Sequence, residues 1–311
     1  LYFTGSTTKA FCAALLAHLI NSKKYPELSK GWDTPISSIL HDDFVLQDDW
    51  ATKHLTLRDA AGHITGMSRH DLSLMRETNG KESTNRDFVR NLRHLPMPTE
   101  PRKQFQYCNY MYFVLSHVIE TVTGQWLGDC LREHIFQPLG MNATFLDMKD
   151  AENAPEHVAD SYLWSEDDKK YNKLPHMPAR QLSGAGGLIS TVKDYAKWAK
   201  ALIYKSDVFN EATHADIRSS ISIATASDEL DILYGLGWMR RVVYDKVAYI
   251  HNGSTGTFGS YVIWFPHVKF GVVAFSNGFE TAVPVTNVLA WRLIADRLEV
   301  SAADRVDVND K

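Results

Sequence analysis

The run from residue 10 to residue 20, Ala10-Phe11-Cys12-Ala13-Ala14-Leu15-Leu16-Ala17-His18-Leu19-Ile20, is apolar nearly all round, with His18 its only clearly polar member. A helix without a polar face is a buried helix, so the rest of the chain has to be wrapped around this segment. Its first turn nevertheless carries a hydroxyl, Ser6, and an amine, Lys9, spaced to share one face. The amine sits at the positive end of the helix, where acids are favoured and cations are not. Burial disfavours the ammonium as well, so both effects push Lys9 towards a neutral amine able to take a proton. A serine beside such a base is the arrangement of an activated nucleophile.

Ser-x-x-Lys alone is a common pattern, and two further stretches give it weight. Gln106-Tyr107-Cys108-Asn109 leads into a helix predicted through Thr123, with Met111, Val114, Leu115, Val118 and Val122 on its apolar face and Gly124 closing it. Asn109 is the expected N-cap, which leaves Tyr107 on a loop at the helix end. The third stretch, His251-Asn252-Gly253-Ser254-Thr255-Gly256, ends a predicted strand at 247–250. A polar, glycine-rich strand end suits close backbone approach to a ligand.

The chain has 311 residues, of which 44% are hydrophobic, and a formal net charge of −4. This length carries a sizeable core, and no concentration of Lys and Arg marks a nucleic-acid face. No apolar run is long enough to span a bilayer. Cys12, Cys108 and Cys130 lack metal-ligand spacing, and an odd, low count favours a reducing, cytoplasmic setting. His63 and His70 have no third ligand at helical or hairpin spacing, so no metal site is expected.

Asp33-Thr34-Pro35 is expected to open a short helix, and Thr56 to Asp59 to form a capping box. Asp42-Asp43 and Asp48-Asp49 read as solvated loop acids, residues 72–104 as polar with a turn at Asn79-Gly80, and 125–136 as a helix ended by Pro138-Leu139-Gly140. Residues 147–180 read as polar and irregular, with the charged run at 165–170 as exposed loop, and Ser183-Gly184-Ala185-Gly186-Gly187 as a glycine-rich turn without the Gly-Lys-Ser/Thr of a phosphate loop. Thr191 caps the next helix, with Trp198 and Leu202 on one side. Beyond about residue 230 come four strands, at 233–238, 247–250, 261–265 and 270–275, in an antiparallel meander, and Pro284 opens a last helix to about 299. The expectation is one catalytic domain over 1–311, mainly helical over 1–230, with an antiparallel sheet and C-terminal helix over 231–299.

Taken together, the three stretches resemble the serine β-lactamase and penicillin-recognising family, in the branch of class C β-lactamases, D-amino-acid peptidases, carboxylesterases and small-molecule acyltransferases. Its Ser-x-x-Lys, Tyr-x-Asn and Lys/His-x-Gly motifs read here, in order, Ser6-Thr7-Thr8-Lys9, Tyr107-Cys108-Asn109 and His251-Asn252-Gly253. Secondary matches at residues 62–67, 137–141, 186–190 and 234–238 extend the likeness over nearly the whole chain. The resemblance implies an α/β fold of α+β type, with an antiparallel sheet flanked by helices and a mainly helical subdomain. It implies acyl transfer from a small-molecule acyl substrate through an acyl-enzyme, without metal or organic cofactor.

In that reading Ser6 attacks, Lys9 with Tyr107 removes and relays the proton, and the backbone N–H groups of Ser6 and Ser254, next to Gly253, form the oxyanion hole. Asn109 orients Lys9 or the substrate amide, and His251 holds Tyr107 or a polar group of the substrate. Histidine at 251, where classical β-lactamases carry lysine, favours an esterase or acyltransferase. A β-lactamase or D-amino-acid peptidase is the alternative within the enzymes, and a catalytically silent ligand-binding relative the alternative outside them. The family's serine motif also follows strands that complete its sheet, so further strands N-terminal to residue 1 are expected.

Overall fold

The computed structural model of the protein describes residues 1–74, 77–78, 80–227 and 231–305; Asn79, and with it half of the expected turn, lies outside these. A short strand β1 (Tyr2–Phe3) and one 3-10 turn (Gly5–Thr7) lead into helix α1 (Thr8–Ser22). Every residue from Thr8 to Ala17 is buried, as the all-round apolar run requires. Helix α2 (Asn109–Thr123) ends on Gly124 at φ 68°, a left-handed position that favours glycine. A hairpin, β2 (Ser161–Ser165) and β3 (Lys170–Leu174), precedes the kinked helix α3 (Ala179–Gly186) and strand β4 (Ile189–Ser190). β4 pairs antiparallel with β1. Helix α4 (Val192–Tyr204) is capped by the Thr191 side chain as expected and places Trp198 flat on Phe11 of α1, ring centroids 4.3 Å apart.

The sheet comprises β5 (Ser220–Thr225), β6 (Ile232–Gly235), β7 (Met239–Val243), β8 (Lys246–Ser254), β9 (Phe258–Phe265) and β10 (Phe270–Asn277). All neighbours are antiparallel, in the order β10-β9-β8-β7-β6-β5. Helix α5 (Phe279–Arg297) follows. Side chains alternate across the strands and divide between two cores. Ala248, Ile250, Ile263, Phe265 and Val272 meet Ala290 and Ile294 of α5. Tyr249, Val262 and Trp264 point the other way into the core built on α1, with Tyr249 and Trp264 stacked at 4.3 Å. The helical part and the sheet therefore share one core. Among the described residues β10 is hydrogen-bonded on one side only.

Several expectations need correction. The sheet has six strands, not four, and starts at 220: β5 is largely solvent-facing and polar, and β7 begins Met-Arg-Arg, so neither shows an apolar strand signal. Pro284 lies inside α5 rather than at its start. Thr34-Pro35 runs as a bridge to Thr56, and the helix it was expected to open covers only Ser37–Leu40. The capping box at Thr56 is present, and Asp59 also holds Arg102 at 2.7 Å. Asp43 is no idle loop acid, since Arg86, Arg90 and His117 all bond it, and Asp48 caps the helix Asp49–His54. The polar stretch 72–104 contains a capped helix, Asn85–Asn91, and the charged run at 165–170 is the exposed turn of the β2–β3 hairpin. No helix among the described residues is long and apolar enough to cross a membrane, and no group of His, Cys, Asp or Glu there could hold a metal ion.

Candidate active site

The 3-10 turn before α1 lies directly on the C-terminal end of β8. A Cβ on Gly253 would sit 2.1 Å from the Thr4 carbonyl oxygen and 2.9 Å from the Ser6 backbone nitrogen. A Cβ on Gly5, whose φ is +53°, would sit 2.6 Å from the Ser254 nitrogen. Glycine at both positions is what lets the two backbones meet. The turn is pinned from the other side by Tyr195 of α4, whose hydroxyl donates to Thr4 Oγ1 (2.8 Å), and by Ser260 Oγ of β9, which donates to the Thr4 carbonyl (2.6 Å). Ser6 and the backbone of Ser254 are thus brought side by side.

Lys9, in the first turn of α1, is fully buried. Its Nζ donates to Asn109 Oδ1 at 2.7 Å and to the Ala185 carbonyl at 2.6 Å, and stands 3.3 Å from Ser6 Oγ. Burial pulls its pKa from 10.5 down to about 7, against the opposing pull of Asp71. A neutral amine has two hydrogens and one lone pair. The two carbonyl oxygens occupy both hydrogens, so the lone pair is left for the Ser6 hydroxyl.

Tyr107 and Asn109 come together at this point, as their spacing suggested, although Cys108 is the N-cap and Asn109 the first helical residue of α2. The Asn109 side chain is committed elsewhere: its Oδ1 takes the Lys9 hydrogen and its Nδ2 donates to Asp71 Oδ1 at 3.0 Å. The Tyr107 ring lies 4.9 Å from Lys9 Nζ. Burial pushes its phenol above the usual value, partly offset by a hydrogen bond with Ser6, so the hydroxyl stays protonated. His63, held at φ +56°, packs against Tyr107 at 4.4 Å between ring centroids and accepts the Cys108 N–H through Nδ1 at 3.1 Å. It braces the tyrosine loop.

His251 departs from its expected role. It is buried, with Nδ1 bonded to the Asn252 carbonyl (2.6 Å) and Nε2 to the Tyr234 hydroxyl (3.2 Å), so neither ring nitrogen is left for Tyr107 or a ligand. Burial, reinforced by Lys9, brings its pKa down to about 3, which leaves a neutral ring at ordinary pH. Sequence reasoning missed three contributors. Ala185 supplies only a backbone carbonyl, which no side-chain pattern announces. Arg69 and Asp71 were visible as charges in a glycine-punctuated loop but carried no spacing that linked them to Asn109.

A cleft of about 260 Å³ opens over Ser6. Leu74, Phe113, Met177 and Leu182 form apolar walls, and Arg69 and Asp71 stand at its side. A larger hollow of about 390 Å³, between Asn85, Glu120 and Arg180, lies apart from Ser6 and Lys9.

The Beta-lactamase family matches residues 1–296. An unguisins hydrolase of Aspergillus campestris is 37% identical over 313 residues, covering 99% of this chain and 58% of that protein. A second unguisins hydrolase, of Aspergillus violaceofuscus, is 36% identical over 332 residues, covering 100% and 58%. The chain therefore spans little more than half the length of these relatives. Among solved structures, a penicillin-binding protein homologue from Pyrococcus abyssi superposes with a TM-score of 0.81 at 22% identity, covering 98% of this chain and 67% of that one. With this family match and a mixed α/β fold of the penicillin-binding type, the chain belongs to the beta-lactamase family.

Proposed function

We propose that this chain is a serine hydrolase that cleaves an amide or ester of a small molecule through an acyl-enzyme. The observation that carries the reading is the buried Lys9 amine, 3.3 Å from Ser6 Oγ and bonded to two carbonyl oxygens, which in the neutral form take both hydrogens and leave the lone pair for the Ser6 hydroxyl. In the first half-reaction Ser6 Oγ forms a bond to the substrate carbonyl carbon while its proton passes to Lys9 Nζ. The oxyanion is received by the backbone N–H groups of Ser6 and Ser254. The carbon–leaving-group bond then breaks, and the protonated Tyr107 conveys the proton from Lys9 to the leaving nitrogen or oxygen. Water repeats the sequence in reverse to free Ser6. Hydrolase relatives at 37% and 36% identity support water as the acyl acceptor.

The neutral, enclosed His251 offers no fixed cation to a β-lactam carboxylate, which supports amide or ester substrates over β-lactams. A fluorophosphonate probe tests the reading. Covalent labelling of pure folded protein should map to Ser6 and vanish in Ser6→Ala, whose circular dichroism should be unchanged. Folded wild-type protein that takes no label would return the chain to the silent, ligand-binding class. A p-nitrophenyl ester should be turned over faster than a chromogenic cephalosporin.

A further inference from the structure

Several elements bring titratable groups to Lys9. From its own helix Cys12 faces it; from the segment before α2, Tyr107 and Cys108; from α2, Tyr112; from the loop at 62–71, His63, Arg69 and Asp71; and from β8, His251. Burial holds both thiols up at about 12, raises both phenols, and lowers both imidazoles, so six of these groups are neutral at ordinary pH. Among these described residues, the charges that remain are Arg69 and Asp71, paired at 2.8 Å. Asp71 also accepts the Asn109 Nδ2–H. An amide whose nitrogen end is held by a carboxylate must turn its oxygen to the opposite side, and that oxygen is the one bonded to Lys9. The loop is anchored: His70 bonds the Pro96 carbonyl at 2.8 Å and Ser73 bonds the Tyr110 hydroxyl at 2.8 Å.

We propose that Asp71 and Arg69 are positioning residues for the reaction, Asp71 fixing the orientation of the Asn109 amide and the pair together setting how readily Lys9 takes the serine proton. The inference deepens the proposed function and rests on Lys9 being the base. The two charges act on the Lys9 ammonium with opposite sign, Asp71 favouring it and Arg69 opposing it. Asp71→Asn keeps an oxygen to accept from Asn109 but deletes the negative charge, and Arg69→Met deletes the positive one while retaining an apolar stem over Tyr107.

The test is the pH dependence of kcat/KM on a p-nitrophenyl ester for wild type, Asp71→Asn, Arg69→Met and Lys9→Ala. Activity requires the neutral amine, so it rises with pH through the Lys9 pKa. The midpoint of that rise should move to lower pH in Asp71→Asn and to higher pH in Arg69→Met, each by about half a pH unit or more. A merely structural loop would lower rates without shifting the two midpoints in opposite directions. Midpoints that stay together, or move the same way, while Lys9→Ala is inactive would overturn the inference and leave the proposed function standing. Full activity in Lys9→Ala would overturn both.

Discussion

The start of α1 and the end of β8 deliver one basic nitrogen each to the same buried neighbourhood, and the two fare differently. Lys9 is fully buried and His251 nearly so, and burial is the largest influence on each. Lys9 nevertheless keeps a pKa of about 7, whereas His251 falls to about 3. Lysine starts higher, and a carboxylate, Asp71, stands near enough to restore part of what burial removes. His251 has Lys9 itself as its adverse neighbour and only a backbone carbonyl in its favour. Both fall by a similar amount, from 10.5 to about 7 and from 6.5 to about 3, so the higher starting basicity of lysine decides which buried base can exchange a proton near neutrality.

Deleting the titrating base should have the largest effect. Lys9→Ala is expected to lower kcat/KM by about 10³-fold or more, because nucleophile and base act as a unit. Tyr107→Phe removes the proton carrier to the leaving group and keeps the ring, so a loss of roughly 10²-fold is expected, a typical share for general acid–base catalysis. Burst kinetics should then show the acyl-enzyme step slowed. Gly253→Ala breaks the meeting of the two regions, because the new methyl group would overlap the Thr4 carbonyl. Forcing them apart should cost about 1–3 kcal/mol in denaturant unfolding and lower activity as well.

The smallest effect on catalysis belongs to His251. His251→Phe removes one partner of the Tyr234 hydroxyl and leaves it Tyr112, for about 1 kcal/mol of stability, but should leave the midpoint of the pH–rate profile in place. A moved midpoint would show that His251 does carry charge. His251→Lys, which the sequence alone would credit with a cation for anionic substrates, should instead lose folded protein by burying an ammonium.

Signals confined to a few residues were the readable ones. The all-round apolar run fixed α1 as buried, and Ser6, Lys9, Tyr107 and Asn109 do meet where their motifs suggested. The unread parts depend on partners far along the chain. Asp71 reaches Asn109 across 38 residues, and Lys9 reaches the Ala185 carbonyl across 176. The bond of His251 to Tyr234 likewise depends on another strand, which its own motif does not encode. Strands β5 and β7 pack only one apolar side chain each into the cores, Ile221 and Val243, too few to stand out as strands before their neighbours are known.

The claim at the centre is that Ser6 is activated by a neutral Lys9, and it can be measured without knowing the substrate. The rate of fluorophosphonate attachment to Ser6 should be followed between roughly pH 5 and pH 9, in wild type and in Lys9→Ala. The expected result is a rise in wild type with its midpoint near 7, where burial has placed the amine, and no comparable rise in Lys9→Ala. A flat wild-type profile, or the same rise in the mutant, would contradict the assignment of Lys9 as the base.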